Sequence, residues 1–204
     1  MTVVTERPTE TAPTTPSTDP VAEAIADVEG LLTLEPAPLA APTDEVAKRE
    51  LVIIWYSGDL EKAWASLILA STAAASGVPT KIFMTFWGLQ AFVKDQRRVT
   101  GETWMQRMLS VMQRPGMRHR KLSKMNFLGM GPWMMGTLAK KYGVASPSEL
   151  LEAAQALGVE FMPCQMTMDM FGLKKADMID GLGEPVGAAT VIELLANGAA
   201  PLFI

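Results

Sequence analysis

Apolar and polar positions along the chain predict alternating strands and helices. Leu51 to Tyr56 is a continuous apolar, β-rich run, the pattern of a strand buried on both faces of a parallel sheet. "SGD" breaks the run, and Asp59 stands where it can cap a helix from Leu60 to Ser76. Gly77 and Pro79 end that helix before a second apolar run, Thr80 to Thr85. A strand, a helix and a second strand in this order imply a right-handed crossover between parallel strands. The C-terminal third repeats the alternation. "SPSELLEAAQALG" predicts a helix with Ser146 as cap, Pro147 at the first helical position and Glu149 completing a capping box. "VEFMP" predicts a short strand, "CQMTMDMFG" a turn and short helix, "GAATVIELLANG" a helix and "APLFI" a closing strand. The expected architecture is α/β: a doubly wound, three-layer domain on a mainly parallel sheet.

Two segments stand outside this pattern. Residues 1–47 are rich in Pro, Thr, Ala and acidic side chains without sustained period, and predict a disordered extension to a domain of residues 48–204. Within it, residues 19–32 have the spacing of a short amphipathic helix. Residues 97–143 are basic first and then apolar. Arg97 to Lys124 holds eight Lys/Arg against one acid, Glu102, and "MNFLGMGPWMMG" follows without a charge. Trp104, Met108, Leu109 and Met112 form one apolar face at helical spacing. Such a segment either packs as a core helix beside a solvated basic loop or docks on a partner or an anionic membrane.

Charge sharpens the division. The net charge of −4 conceals nine acids and one base in residues 1–47, against 17 bases and 13 acids in the rest. An acidic extension therefore precedes a basic body. The longest uncharged stretch, Ala63 to Thr80, is Ala/Ser-rich and reads as a buried helix rather than a membrane span. A single cysteine excludes an internal disulfide, and the N-terminus lacks the basic start and apolar segment of an export signal. A reducing, cytoplasmic setting is expected, with no cofactor and no metal site called for. No nucleic-acid recognition motif is visible.

The single cysteine, Cys164, falls just beyond the carboxyl end of a predicted strand, where open α/β sheets place their ligands. Position at a helix start would favour its thiolate, whereas free cysteines are also among the most buried residues. Both readings stand at this level. Met166, Met168 and Met170 recur at intervals of two, which scatters them on a helix and favours packing over copper binding. His119, the one histidine, lies in the basic loop "GMRHRKLSK" with no acid or cysteine adjoining. "YSGD" is not a phosphate-loop motif, but Ser57 and Gly58 at a helix entrance are candidate anion contacts, and Gln165 beside the cysteine is a third candidate contact.

"TFWGLQ", "MNFLGMG", "ALGVEFMPCQMTMDMFGLKKADMIDG" and the closing "PLFI" resemble the DsrE/DsrF-like superfamily, in the branch described as peroxiredoxin-like or sulfur-relay proteins. The resemblance runs from about Leu51 to Ile204, and its most specific block is "PCQMTMD" with "GLKKADMIDG". It implies a parallel α/β fold and a sulfur carrier or sulfurtransferase that holds sulfane sulfur as a persulfide on Cys164. A rhodanese-type donor and a TusA-like sulfur carrier are the partners it implies, together with a homo-oligomer and membrane association in some relatives. Some relatives carry a second cysteine in the middle segment; this chain does not, so a two-cysteine relay is excluded. The alternative is a non-catalytic docking module that uses residues 97–143 on a membrane or partner, with Cys164 structural.

Overall fold

A computed structural model describes residues 49–95, 99–112, 114–124 and 126–204. The expected acidic extension, with its helix at 19–32, lies outside these residues. Among the described residues, four strands, β1 (Leu51–Trp55), β2 (Thr80–Met84), β3 (Glu160–Pro163) and β4 (Ala200–Phe203), form one sheet in the order β3-β2-β1-β4. All pairings are parallel, with Leu51 beside both Thr80 and Ala200, and Lys81 beside Glu160. Among the described residues, seven α-helices accompany them: α1 (Leu60–Ala75), α2 (Phe86–Leu89), α3 (Trp104–Met112), α4 (Met130–Lys141), α5 (Pro147–Ala156), α6 (Gln165–Phe171) and α7 (Ala188–Ala196). The fold is the α/β arrangement that the alternation predicts.

Strand alternation divides the buried residues between two faces. Ile53, Trp55, Ile82, Met84 and Phe161 form the larger cluster with Ala63, Leu67 and Ala70 of α1, Leu151 and Ala154 of α5, and Met168 and Phe171 of α6. The i, i+4, i+7 spacing of Ala63, Leu67 and Ala70 lets α1 lie close against the sheet. Val52, Phe83, Met162 and Cys164 point the other way, into a smaller cluster whose one buried helical residue is Val191 of α7. The sheet is therefore thickly covered on one face and thinly on the other.

The helix entrances differ from one another. Ser146 and Glu149 form the full capping box ahead of α5. Asp59 occupies the N-cap of α1 but makes no side-chain cap bond. Its carboxylate accepts instead from Ser57 Oγ at 2.9 Å and pairs with Lys62 at 3.3 Å, while Leu60 N–H donates to the Lys121 carbonyl at 2.8 Å. The distant loop that carries Lys121 thus does the work assigned to a local cap. Gly88 is required by space. A Cβ there would stand 2.4 Å from the Trp55 carbonyl oxygen, so α2 folds tightly over the end of β1.

The middle segment departs from the core-helix expectation. Helix α3 forms where the spacing places it, yet none of its residues is buried, and only Leu109 packs against the core. Trp104, Met108 and Met112 face outward. Helix α4 and the turn before it likewise expose Phe127, Leu128, Met130 and Trp133, and only Gly131 of α4 is buried. No helix among the described residues is long and apolar enough to cross a membrane.

Candidate functional site

Cys164 stands at the N-cap of α6, directly after β3. Its N–H donates to the Met84 carbonyl at 2.9 Å, extending the β2–β3 pairing by one bond. Its carbonyl accepts from Met168 N–H at 3.0 Å and opens the helix. The side chain makes no cap hydrogen bond and joins the apolar cluster of Val52, Phe83, Met162 and Val191, leaving the residue 2% exposed. Helix α6 is only seven residues long.

What closes over this cysteine is a strip that periodicity does not reveal. Residues 183–186 of "GLGEPVG" run beside β3: Gly183 N–H donates to Phe161 O, Val186 N–H to Pro163 O, and Gln165 N–H to Val186 O, each within 3.0 Å. Cys164 and Val186 thereby form a parallel bridge. The Gly/Pro content and lack of alternation hide this pairing in the sequence. The rest of the distinctive block has structural duties too. Ile179 N–H donates to Phe92 O, and Lys94 N–H to Asp177 O, tying "KADMID" to the chain after α2. Thr167 is fully buried, shares a 3.0 Å hydrogen bond with Thr85, and accepts from Phe86 N–H at 3.1 Å. That bond holds Phe86 at φ 45°, a strained angle for a residue with a side chain. Among the three methionines, Met168 is core, while Met166 and Met170 are exposed. The packing expectation thus holds for one of them.

Pro163 and Met168 line a cavity of about 420 Å³ with Lys94, Lys175 and Asp180, but Cys164 does not open into it. Gln165 turns outward and donates to Asp169 Oδ1 at 2.7 Å. Neither Gln165 nor Cys164 shares a cavity with the other two candidate contacts.

Ser57 and Gly58 lie at the carboxyl end of β1, on the floor of a cleft of about 830 Å³. Trp55 Nε1–H donates to Ser57 O at 2.7 Å and fixes the turn. The basic loop folds over this end of the strand, so Arg114, Arg120 and Lys121 join Lys62 in the lining. Trp87 and Tyr56 supply aromatic walls. His119 also lines the cleft and pairs with Asp95 at 2.9 Å rather than with the cysteine. The expectation of a solvated basic loop fails at Arg120, which is 7% exposed. Its Nε donates to Gly116 O at 3.2 Å and its Nη2 to Arg114 O. In sequence, "RHRK" offers no sign of which cation turns inward, because charge alone does not encode loop direction.

The sequence neighbours this chain to known proteins over nearly all of the described region. The model of the DsrE/DsrF/DrsH-like family matches residues 47–203. A protein of Bacillus subtilis named "Uncharacterized protein YrkE" is 37% identical over 160 residues, covering 78% of this chain and 99% of that protein. "Sulfur carrier protein DsrE2" of Allochromatium vinosum is 36% identical over 168 residues, covering 77% of this chain and 99% of its own length. Among solved structures, the protein of unknown function MTH1491 from Methanobacterium thermoautotrophicum aligns with a TM-score of 0.47 at 11% identity, over 77% of this chain and all of that one. With a family model spanning the sheet, both strand ends and the Cys164 block, the chain belongs to the DsrE/DsrF/DrsH-like family.

Proposed function

We propose that this protein is a sulfur carrier in a sulfane-sulfur relay, with Cys164 as the carrying residue and residues 48–204 as the functional domain. The observation that carries the reading is the place of the chain's one cysteine. It directly follows β3 in a chain that is 36% identical to a protein named as a sulfur carrier. In the reaction, the Cys164 thiolate attacks the outer sulfur of a donor persulfide, R–S–SH. A new S–S bond forms on Cys164, the donor's S–S bond breaks, and the donor leaves as its thiolate. An acceptor thiolate then attacks the outer sulfur of the Cys164 persulfide and restores the Cys164 thiolate. Neither step needs an external oxidant or reductant. The donor class is rhodanese-type and the acceptor class a TusA-like carrier.

Because Cys164 is buried, loading requires its cover to move. The thin face supplies the means: α7 contributes a single buried residue, and the 183–186 strip is held by three backbone hydrogen bonds. The test is intact-protein mass spectrometry after incubation with a low-molecular-weight persulfide. The expected result is one added sulfur atom on the wild type and none on Cys164→Ser. Wild type that gains no sulfur overturns the reading.

One observation favours a second reading, a docking module with a structural Cys164. Phe127, Leu128, Met130 and Trp133 project around a helix with almost no buried surface, and Trp133 is 71% exposed. An apolar face of this kind suits a partner, another copy of the chain or the surface of an anionic membrane. Strong co-sedimentation with anionic vesicles that persists in Cys164→Ser, joined to absence of sulfur loading, would select it.

A further inference from the structure

The cleft at the carboxyl end of β1 is built from residues that the sulfur chemistry of Cys164 does not use. Its described lining carries four cations, Lys62, Arg114, Arg120 and Lys121, against one carboxylate, Asp59. That carboxylate is already engaged by Lys62 and by the Ser57 hydroxyl. The cations therefore outnumber the groups available to neutralise them.

Arg120 gives this surplus a direction. Buried charges are ordinarily paired, because an unpaired one forfeits its hydration. Yet no carboxylate among the described residues forms an ion pair with Arg120. Burial pushes its guanidinium pKa down, with no neighbouring charge acting to raise it. Two backbone carbonyls hold Nε and Nη2 and so fix the plane of the group. Nη1 is left beside Gly58, 3.5 Å from the position a Cβ would take there. The tighter limit at Gly58 is Trp87, whose Cβ and carbonyl oxygen would stand 3.0 and 3.3 Å from that position, so glycine lets the turn pack against Trp87 beside Nη1. A fixed, buried guanidinium with one free edge on a basic cleft matches the fork geometry of an oxyanion. Trp87 and Tyr56 give the remainder of the cleft apolar walls for whatever bears that group.

We propose that this cleft is an oxyanion-binding site, in which Arg120 receives a tetrahedral anionic group such as sulfate, phosphate or thiosulfate, assisted by Lys62 and Lys121. The site is separate from Cys164 and does not rest on the sulfur-carrier reading.

The test is calorimetric titration of the full chain with sodium sulfate, phosphate and thiosulfate in turn. Ionic strength is held constant with sodium chloride, and the fluorescence of the tryptophans is followed in parallel. The expected result is saturable binding at one site, weakened about tenfold in Arg120→Met by loss of a charge-assisted contact. Arg120→Lys, which keeps the charge but loses the fork, falls in between. Lys62→Ala and Lys121→Ala, at more exposed positions, each weaken binding about threefold with an unchanged circular dichroism spectrum. These two keep the test decisive if the Arg120 variants do not fold. A preference for thiosulfate over sulfate identifies a sulfane-sulfur ligand, and equal affinity a general oxyanion group. Absence of saturable binding at constant ionic strength overturns the proposal, as does wild-type affinity in the folded Lys62→Ala/Lys121→Ala double variant. Cys164 does not line this cleft, so Cys164→Ser is expected to leave oxyanion binding intact, and failure of that binding is distinguishable from failure of sulfur loading.

Discussion

At the carboxyl end of β3 the chain turns straight into α6 and buries its one cysteine among Val52, Phe83, Met162 and Val191. At the carboxyl end of β1, two strands away in the same parallel sheet, Ser57 and Gly58 open into a basic cleft. Parallel strands deliver both ends to one edge, so the sheet itself makes no distinction between them. The difference lies in what returns to cover each end. The strip at 183–186 supplies backbone partners and apolar side chains over β3, whereas the loop from Arg114 to Lys121 brings cations over β1. Position at a strand end marks where a site can be; the covering segment decides whether it is closed and apolar or open and charged.

The change expected to disturb both ends most is Gly88→Ala. Its new Cβ would meet the Trp55 carbonyl oxygen at 2.4 Å and the Trp55 ring at 2.8 Å, and neither can yield without moving β1 or α2. Destabilisation of about 3 kcal/mol is expected, at the upper end for overpacking a rigid site. Urea denaturation followed by circular dichroism measures it. A variant as stable as wild type would show that α2 does not clamp the end of β1 as described.

Val191→Ala separates the two ends. Removing two methyl groups from the thin side of the sheet is expected to cost about 2 kcal/mol. It also leaves room beside Cys164, so labelling of the folded protein by an aromatic disulfide should accelerate about tenfold if the cover opens by a corresponding part of that energy. Oxyanion titrations should not change. Labelling that tracks only the global unfolding rate would mean that α7 is not the cover, and the contrast between a closed and an open end would need another cause.

The frame of this contrast was legible residue by residue, and the contrast itself was hidden for identifiable reasons. The β1–α1–β2 unit follows from a continuous apolar run, an Ala-rich helix and a Gly–Pro break. The place of Cys164 after β3 follows from the same logic. Its burial does not, because that depends on Val186 and Val191, which arrive from later elements. Asp59 was legible as an N-cap position but not in its side-chain partners, since Lys121 supplies the carbonyl that receives Leu60 N–H. Arg120 was one of several equivalent cations in sequence, singled out only by Gly116 and Arg114 carbonyls that the turn brings to it. The apolar face of α3 was correct in spacing, yet spacing cannot say whether a face meets the core or points away from it.

The smallest expected effect tests whether damage elsewhere leaves both ends untouched. Ser146 Oγ accepts from Glu149 N–H at 3.3 Å, and Ser146 N–H donates to the Glu149 carboxylate at 2.7 Å. Ser146→Ala should cost about 1 kcal/mol, the usual loss of an N-cap acceptor, with thiol labelling and oxyanion binding unchanged. The reciprocal half of the box is read by pH. The hydrogen bond from the Ser146 backbone, followed by the bond to its side chain, holds the Glu149 carboxyl below its ordinary pKa of 4.5. A depressed folded-state pKa adds stability above the unfolded value and loses it as pH falls through the folded value. Glu149→Gln should therefore narrow the gap to wild type below about pH 4.5, measured as Tm against pH, because wild type loses the charged acceptor there. A gap that stays constant across that range would place the stabilisation in the helix cap alone. Altered thiol labelling or oxyanion affinity in Ser146→Ala would show that α5 communicates with a strand end, and that the two ends are not set by their covering segments alone.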